Sequence, residues 1–312
     1  MLAYDVIEFG NEKNSPNIKL KINSSFDEIL SFIHSLEEEI GSTNPDFGKL
    51  KSLCFELVRR LPLPIQLLQN TFILRGRENI NGEVFSKLQE LSYNPIANRI
   101  GLGRFNLNGE SVFYGAVPIT SHNASGQLTT ICESCKELFD SDSKHHLKYF
   151  TVGKWNILKP IKTVVLTFFE NAKERSWHVG NLNPNYESFL SSICNAEDLR
   201  KCHKFYSFFS EYAAKKYDSG DNYLLTTAFF HALQQYYGSD IGILYSSSMT
   251  DNTGLNVAFS KDVLDSDHLA FEGAVMFKVM GSTNSHKSYM IAPCTDYAKI
   301  EIDERFRFKY IL

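Results

Sequence analysis

The chain has 312 residues, with 32 lysines and arginines against 36 aspartates and glutamates, a net charge of −4 at pH 7 and 43% hydrophobic residues. These totals are typical of a soluble globular protein with enough chain for one large domain or two modest ones. They do not fit a basic protein that binds nucleic acid through charge, and no run of about 18 apolar residues indicates a transmembrane helix. We therefore expect no direct nucleic-acid partner and no membrane.

The first residues and the cysteines predict a cytoplasmic location. The start of the chain, MLAYDVIEFGNEKN, has early acidic residues and no basic segment before an apolar run, so no signal peptide is predicted. The six cysteines lack the spacing of a small secreted domain, and we expect them to be reduced thiols.

Residues 1–70 are predicted to form a helical N-terminal unit. The stretch SSFDEILSFIHSLEEEIG places Ile33 and Leu36 on one helical stripe, and FGKLKSLCFELVRRL does the same with Leu50 and Leu57. The following LPLP ends the second helix.

From Thr71 onward the pattern changes to short β-rich runs. TFILR and SVFYGAV are predicted strands, with a short helix over GEVFSKLQEL between them and another over SGQLTTICESCKELF. Two or three strands are expected in YFTVGKWNILKPIKTVVLTFF.

The remaining elements alternate helices and strands. Helices are predicted over YESFLSSI, over residues 197–217 and over NYLLTTAFFHALQQYYG, and strands over IGILYSSS and GLNVAFS. The interspersed elements predict an α+β fold. Neither a G-x-G-x-x-G fingerprint nor a P-loop is present, so a Rossmann site or a Walker site is unsupported.

Cys132 and Cys135 have the spacing that begins many zinc sites, but no closing pair follows, and both lie in a predicted helix where free cysteine acts as a small hydrophobic residue. We therefore predict no metal ligands. A metal hydrolase built on the cysteines and histidines is kept as a separate hypothesis.

Four histidines are candidates for a general base. His145 and His146 lie in the charged stretch SDSKHH, and His231 lies in an aromatic helix. For His178 the sequence shows no serine or cysteine with which it would form a catalytic pair. No G-x-S-x-G elbow is present, which leaves hydrolase triad chemistry weakly supported.

Three arginines lie beside glycines in RGREN and GLGRFNLNGESVFYG, namely Arg75, Arg77 and Arg104. A glycine-framed arginine can hold a turn, a carboxylate or a phosphate. The residues alone leave these alternatives open.

Taken in chain order, five segments resemble the RES-domain family, which is named for an arginine, a glutamate and a serine in that order. They are FILRGR, GRFNLNGESVFYGA, TTICE, NYLLTT and GILYSSSMTDNTGLNVAFS, and the resemblance covers residues 71–262. Each segment alone is a weak signal, whereas five in the right order make a moderately strong one.

The resemblance implies an ADP-ribosyltransferase-like fold, in which two mixed β-sheets surround an NAD cleft, here with a helical N-terminal extension. The catalytic domain would span residues 71–312, with an insertion around residues 140–215. The implied activity is NAD consumption by phosphorolysis, hydrolysis or ADP-ribosyl transfer, with NAD as the substrate. Family members include bacterial toxins held off by a helix-turn-helix antitoxin, so the implied partners are such an antitoxin or a protein acceptor. The N-terminal unit could regulate access, pair subunits into a homodimer or bind a partner.

Carried over to this sequence, the resemblance assigns three catalytic residues: Arg75, Glu133 and Ser247. Arg75 would grip the pyrophosphate, because a forked guanidinium suits phosphate oxygens. Glu133 would stabilise the cation that develops on the ribose, and Ser247 would bond the nicotinamide ribose or position Arg75.

The cofactor-binding residues implied by the resemblance are Arg75 and Ser247 together with Arg104, Asn106 and Tyr114. Arg104 would join Arg75 on the phosphates, and Tyr114 would stack near the nicotinamide or ribose. Arg77 could join the two arginines.

The chain departs from the family pattern at two positions. Thr227 stands where glutamine is expected, and Ile241 precedes the glycine where the family tends to have aspartate. The alternative function is an inactive RES scaffold that serves as a binding module, with the helical N-terminus as the interaction part.

Overall fold

A mixed β-sheet organises the described part of the chain, and helices pack against it. The computed structural model describes residues 26–118, 124–134, 147–167, 184–215, 223–250, 252–282 and 288–311. Within these ranges the chain forms seven helices and ten strands.

The helices are α1 (Ile29–Ile40), α2 (Phe47–Arg60), α3 (Ala124–Ser134), α4 (Pro184–Ile193), α5 (Ala196–Ala214), α6 (Leu224–Tyr237) and α7 (Lys261–Asp265). The strands are β1 (Ile65–Leu68), β2 (Phe72–Glu78), β3 (Val112–Val117), β4 (Leu147–Ile157), β5 (Ile161–Leu166), β6 (Gly242–Ser246), β7 (Leu255–Ser260), β8 (Leu269–Ser282), β9 (Ser288–Pro293) and β10 (Ala298–Lys299). No helix in these ranges has both the length and the apolar character needed to cross a membrane.

The strands follow the order β1-β5-β6-β7-β3-β2-β4-β8-β10, and β9 also pairs with β8. Among the described strands, β5 and β6 run parallel, and every other neighbouring pair is antiparallel. The mixed sheet and the helices confirm the α+β prediction.

The sheet is nearly divided between β2 and β3. These strands share one residue pair, Leu74 with Ala116, whereas β2 pairs with β4 along its whole length and β3 pairs with β7 along its whole length. The sheet therefore consists of two five-strand halves held together at one point. The expectation of two separate sheets is corrected to one sheet with a split.

The N-terminal helices belong to the main core. Ile33 of α1 and Leu50 of α2 are buried in the same apolar cluster as Phe229 of α6 and Val257 of β7. Strand β1, which lies inside the predicted 1–70 unit, is hydrogen-bonded to β5. The N-terminal unit is thus packed into the fold that carries the sheet.

A second, smaller core lies between α3 and the half-sheet that contains β2, β4 and β8. Ile131 of α3 packs there with Phe150, Val152 and Phe277. Because successive strand residues face opposite sides, Tyr149 and Lys278 lie on the other face of this half-sheet.

The helix predicted over GEVFSKLQEL is wrong. This segment, residues 82–91, contains a short 3₁₀ helix at Leu88–Leu91, and another 3₁₀ turn, Ile80–Gly82, ends at its first residue. Asn81 and Gly82 have φ angles of 54° and 78°, which a right-handed helix does not accommodate.

The segment expected to be an insertion contributes to the sheet itself. Both β4 and β5 lie inside residues 140–215, as do α4 and α5. Strand β4 sits between β2 and β8, so the second half-sheet depends on it.

Candidate active site

A cavity of about 380 Å³ opens where the sheet divides, and α3 forms one of its sides. Arg75 of β2 and Tyr114 of β3 line it, as do Arg104, Glu133 and Asn256. Four of the residues that the resemblance selected, from segments distant in sequence, therefore reach one concave site.

Two hydroxyl groups of helix α3 donate to carbonyls of β2 beside the split. The Thr130 hydroxyl donates to the Leu74 carbonyl at 3.3 Å, and the Ser134 hydroxyl donates to the Gly76 carbonyl at 3.1 Å. These bonds supply donors to β2 carbonyls at the split, where pairing between β2 and β3 is limited to Leu74 and Ala116.

Gly76 permits this close approach. A Cβ atom at this position would lie 2.7 Å from a methyl carbon of Thr130 and 3.0 Å from the Ser134 hydroxyl. Gly254 plays the same role on the other side of α3, since its Cβ would lie 2.2 Å from the Thr129 hydroxyl. The two glycines set the position of the helix that carries Glu133.

Glu133 is held by two neutral donors. The Ser247 hydroxyl donates to its Oε1 atom at 2.5 Å, and Asn256 Nδ2 donates to the same oxygen at 2.8 Å. Within the described residues, Oε2 makes no hydrogen bond. The carboxylate is thus fixed through one oxygen, and the other remains able to interact with a bound molecule.

Ser247 lies behind Glu133 and does not itself line the cavity. Its side chain is fully buried, and its backbone N–H donates to the Gly254 carbonyl at 2.9 Å. The structure therefore places Ser247 in contact with Glu133, and in the described residues it has no bond to Arg75.

Arg75 spans the split between the half-sheets. Its Nε–H donates to the Ser92 carbonyl at 3.1 Å, and Nη1 donates to the Tyr114 carbonyl on β3 at 2.7 Å. The guanidinium also lies over the Phe113 ring, with Cζ 5.1 Å from the ring centroid. Arg75 thus joins β2 to β3 where ladder hydrogen bonds are missing.

Burial lowers the pKa of Arg75 to about 10, and the nearby positive charge of Arg77 acts in the same direction. The guanidinium is still protonated at neutral pH, so the cavity lining contains a fixed cation.

Arg104 binds the end of another helix. Its Nη1 donates to the carbonyls of Ala213 at 2.5 Å and Lys215 at 2.8 Å, at the C-terminus of α5, and Nη2 donates to the Ser248 hydroxyl at 3.3 Å. A cation is favourable there because the last carbonyls of a helix carry partial negative charge. The last turn of α5 has no basic residue of its own.

Two buried threonines at the start of α6 hold the backbone of this arginine. The Thr226 hydroxyl donates to the Arg104 carbonyl at 2.5 Å, and the Thr227 hydroxyl donates to the Gly103 carbonyl at 3.2 Å. Thr227, which departs from the family pattern, thus fixes the loop that carries Arg104.

Two tyrosines form the wall around the Arg104 guanidinium. Its Cζ atom lies 5.2 Å from the ring centroid of Tyr223 and 5.8 Å from that of Tyr245. Both rings line the cavity, and burial raises the pKa of Tyr245, so this phenol stays neutral. The wall combines a cation with aromatic faces.

Tyr114 and Asn106 form a brace behind the cavity. The Tyr114 hydroxyl accepts the Phe105 N–H at 2.9 Å and donates to Asn106 Oδ1 at 2.8 Å. The Asn106 amide donates to the carbonyls of Gly101 and Leu107, so its polar atoms are all engaged. Asn106, which was predicted to bind the cofactor, is buried outside the cavity lining and instead shapes the loop around Arg104.

Other candidates from the sequence lie elsewhere. Arg77 is exposed, outside the cavity lining, with Nη1 donating to the Glu90 carbonyl at 2.6 Å. His231 pairs with Glu110, at 2.8 Å between Nε2 and Oε2, away from the cavity. Cys132 is buried in α3.

His145, His146, His178 and Cys135 lie outside the described residues. Within the described residues, no group of three or more metal-ligating side chains comes together.

Sequence reasoning did not assign Asn256, Tyr223 or Tyr245 to the site. Asn256 had a visible signal, because it is a polar residue in the otherwise apolar run GLNVAFS and turns out to be only 3% exposed. Tyr223 and Tyr245 lie in the segments NYLLTT and GILYSSSMTDNTGLNVAFS that carry the resemblance, which gave neither of them a role in the site.

Comparison with protein-family models finds no match, and a search of curated proteins also finds none.

Proposed function

We propose that this protein consumes NAD by cleaving the bond between nicotinamide and ribose. The proposal rests on the sequence resemblance to the RES-domain family and on one structural observation. That observation is a carboxylate, Glu133, fixed by Ser247 and Asn256 in the same cavity as the guanidinium groups of Arg75 and Arg104.

The two arginines retain donors for an anionic ligand. A guanidinium carries five N–H groups. Arg75 uses two of them on carbonyls, and Arg104 uses three on its partners, among the contacts of the described residues. Each arginine can therefore hold the cavity wall and also donate to pyrophosphate oxygens, for which planar forked donors are well suited.

Glu133 suits the charge that develops in this reaction. As the C1′–N bond breaks, its electron pair moves to the nicotinamide nitrogen and positive charge builds on the ribose. A fixed carboxylate stabilises that charge and can orient the incoming oxygen of water, phosphate or a protein side chain. The Oε2 atom of Glu133, which makes no hydrogen bond within the described residues, is available for this role.

The second candidate is a binding module that has lost catalysis. One observation favours it: both guanidinium groups already serve structural hydrogen bonds, at the sheet split and at the end of α5. Such a protein would bind NAD or ADP-ribose without releasing nicotinamide.

Product analysis separates the two candidates and identifies the acceptor. Purified protein is incubated with NAD in the presence and absence of phosphate, and the products are read by mass spectrometry. We expect nicotinamide together with ADP-ribose or its phosphorylated form. NAD that binds but stays intact over hours would favour the binding module, and NAD that neither binds nor reacts would reject both.

The biological setting remains part of the proposal. Because toxins of the resembled family act with a helix-turn-helix antitoxin or on a protein acceptor, we include these as partners to be sought. The first of them is tested by adding a candidate antitoxin protein to the enzyme and measuring whether nicotinamide release falls.

A further inference from the structure

A second cavity, of about 330 Å³, lies on the face of the β2–β4–β8 half-sheet opposite to α3. Tyr149, Met276 and Lys278 line it from the strands, and Tyr310 and Ile311 line it from the C-terminal segment. The neighbouring strand residues Phe150 and Phe277 face α3 instead. This cavity is therefore separated from the candidate active site by the thickness of the sheet.

The rim of the second cavity exposes large apolar side chains. Val84 is 48% exposed, Tyr149 39%, Tyr310 61% and Ile311 52%, and buried Met276 lies beneath them. Single exposed apolar residues are ordinary, whereas several around one concavity are typical of a binding site.

One cation projects into this apolar setting. Lys278 is half-buried on β8, directly across from Tyr149 in the strand register. In the described parts of the chain, no carboxylate forms an ion pair with it, although Lys148 and Lys154 on the adjacent strand both have glutamate partners. Glu83 also lines the cavity, from an exposed loop.

We propose that this second cavity binds a small organic anion, a carboxylate with an aromatic or aliphatic body. The carboxylate would pair with the Lys278 ammonium, and the apolar body would lie against Tyr149, Val84 and Tyr310. A half-buried lysine with no ion-pair partner among the described residues gains more from an anionic ligand than an exposed lysine, because the surroundings screen the charge less. The lysine thus supplies selectivity for an anion, and the apolar walls supply contact area.

Cys294 gives this proposal a direct reporter. Its thiol lines the same cavity and is half-buried, so a bound ligand shields it from alkylation. Burial raises the pKa of Cys294, so the reaction with iodoacetamide is run at alkaline pH. Cys194, which is also half-buried but lies outside this cavity, is the control thiol in the same sample.

The experiment compares 4-phenylbutyrate with its amide, which has the same body without the charge. Alkylation rates at both thiols are followed by peptide mass spectrometry on the full chain. We expect millimolar 4-phenylbutyrate to slow alkylation of Cys294 several-fold, with Cys194 unchanged and the amide giving little protection. In Lys278→Met the protection should disappear, and in Lys278→Arg it should persist.

Each other outcome overturns the proposal. Equal protection by the amide would reject an anion site, and protection that survives in Lys278→Met would reject the role of this lysine. No protection up to millimolar concentrations would reject the ligand class. None of these readouts depends on NAD turnover, so they stand apart from the test of the proposed function.

Discussion

The role of Arg75 in joining the two half-sheets can be tested by the substitution Arg75→Met, which keeps most of the side-chain length and removes the charge and all donors. The change leaves the carbonyls of Ser92 and Tyr114 without the guanidinium that now donates to them. We expect the variant to unfold more easily, because strand pairing between the half-sheets is limited to one residue pair.

The size of this effect follows from the two hydrogen bonds. A hydrogen bond from a charged donor contributes about 1.5–3 kcal/mol, and relief of the buried charge offsets part of the loss. We therefore expect the free energy of unfolding to fall by about 2–4 kcal/mol.

The matched control is Arg77→Met on the same strand. Arg77 is exposed and donates to one carbonyl, that of Glu90, so its replacement should cost less than about 1 kcal/mol. Urea unfolding followed by tryptophan fluorescence measures both variants. Equal losses for the two variants would refute the conclusion that Arg75 holds the split together.

Three further substitutions test the support of the site. Thr226→Val and Thr163→Val each remove one buried hydroxyl that donates to a carbonyl, so each should lower the free energy of unfolding by about 1 kcal/mol. Only Thr226→Val should weaken the binding of ADP-ribose measured by calorimetry. Equal binding by both variants would show that Arg104 needs no such support. Gly76→Ala should displace α3 and lower stability by about 1–3 kcal/mol in thermal unfolding. Gly101→Ala should not, because the space around its Cβ is open. A Gly76→Ala variant as stable as the wild type would contradict the close approach of α3. Tyr114→Phe should lose about 1–3 kcal/mol in urea unfolding because it leaves buried partners unpaired, and an unchanged midpoint would disprove the brace.

The helices and the first strands were predictable because their periodicity is local. The apolar stripe of the second N-terminal helix places Leu50 and Leu57 at the observed buried positions of α2. The runs SVFYGAV and GLNVAFS form β3 and β7, which pair with each other as neighbours in the sheet.

The division of the sheet was not predictable from local pattern. Strand β2 looks like any short strand, and its single pair with β3 depends on α3 occupying the split. Strand β8, the centre of the second half-sheet, lies beyond the segments that the resemblance covered, and no strand was assigned there.

Residue identities in the site were accessible to sequence reasoning, whereas their mutual contacts were not. The bond between Glu133 and Ser247 joins positions 114 residues apart, and no local spacing rule predicts it. Asn106 shows the opposite case, because its motif suggested ligand binding while its amide is fully used in bracing a loop.

The most direct test of the central claim is release of nicotinamide from NAD by the wild-type protein and by Glu133→Gln. The glutamine variant keeps an oxygen that can accept from Ser247 and Asn256, so the fold and the cavity should persist while the negative charge is lost. We predict steady release of nicotinamide by the wild type and release at least about 100-fold slower by the variant. That factor is roughly the loss seen when an electrostatic stabiliser is removed from an active site. Equal rates for the two proteins, or no release by a folded wild-type protein that has been given NAD and phosphate, would contradict the proposal.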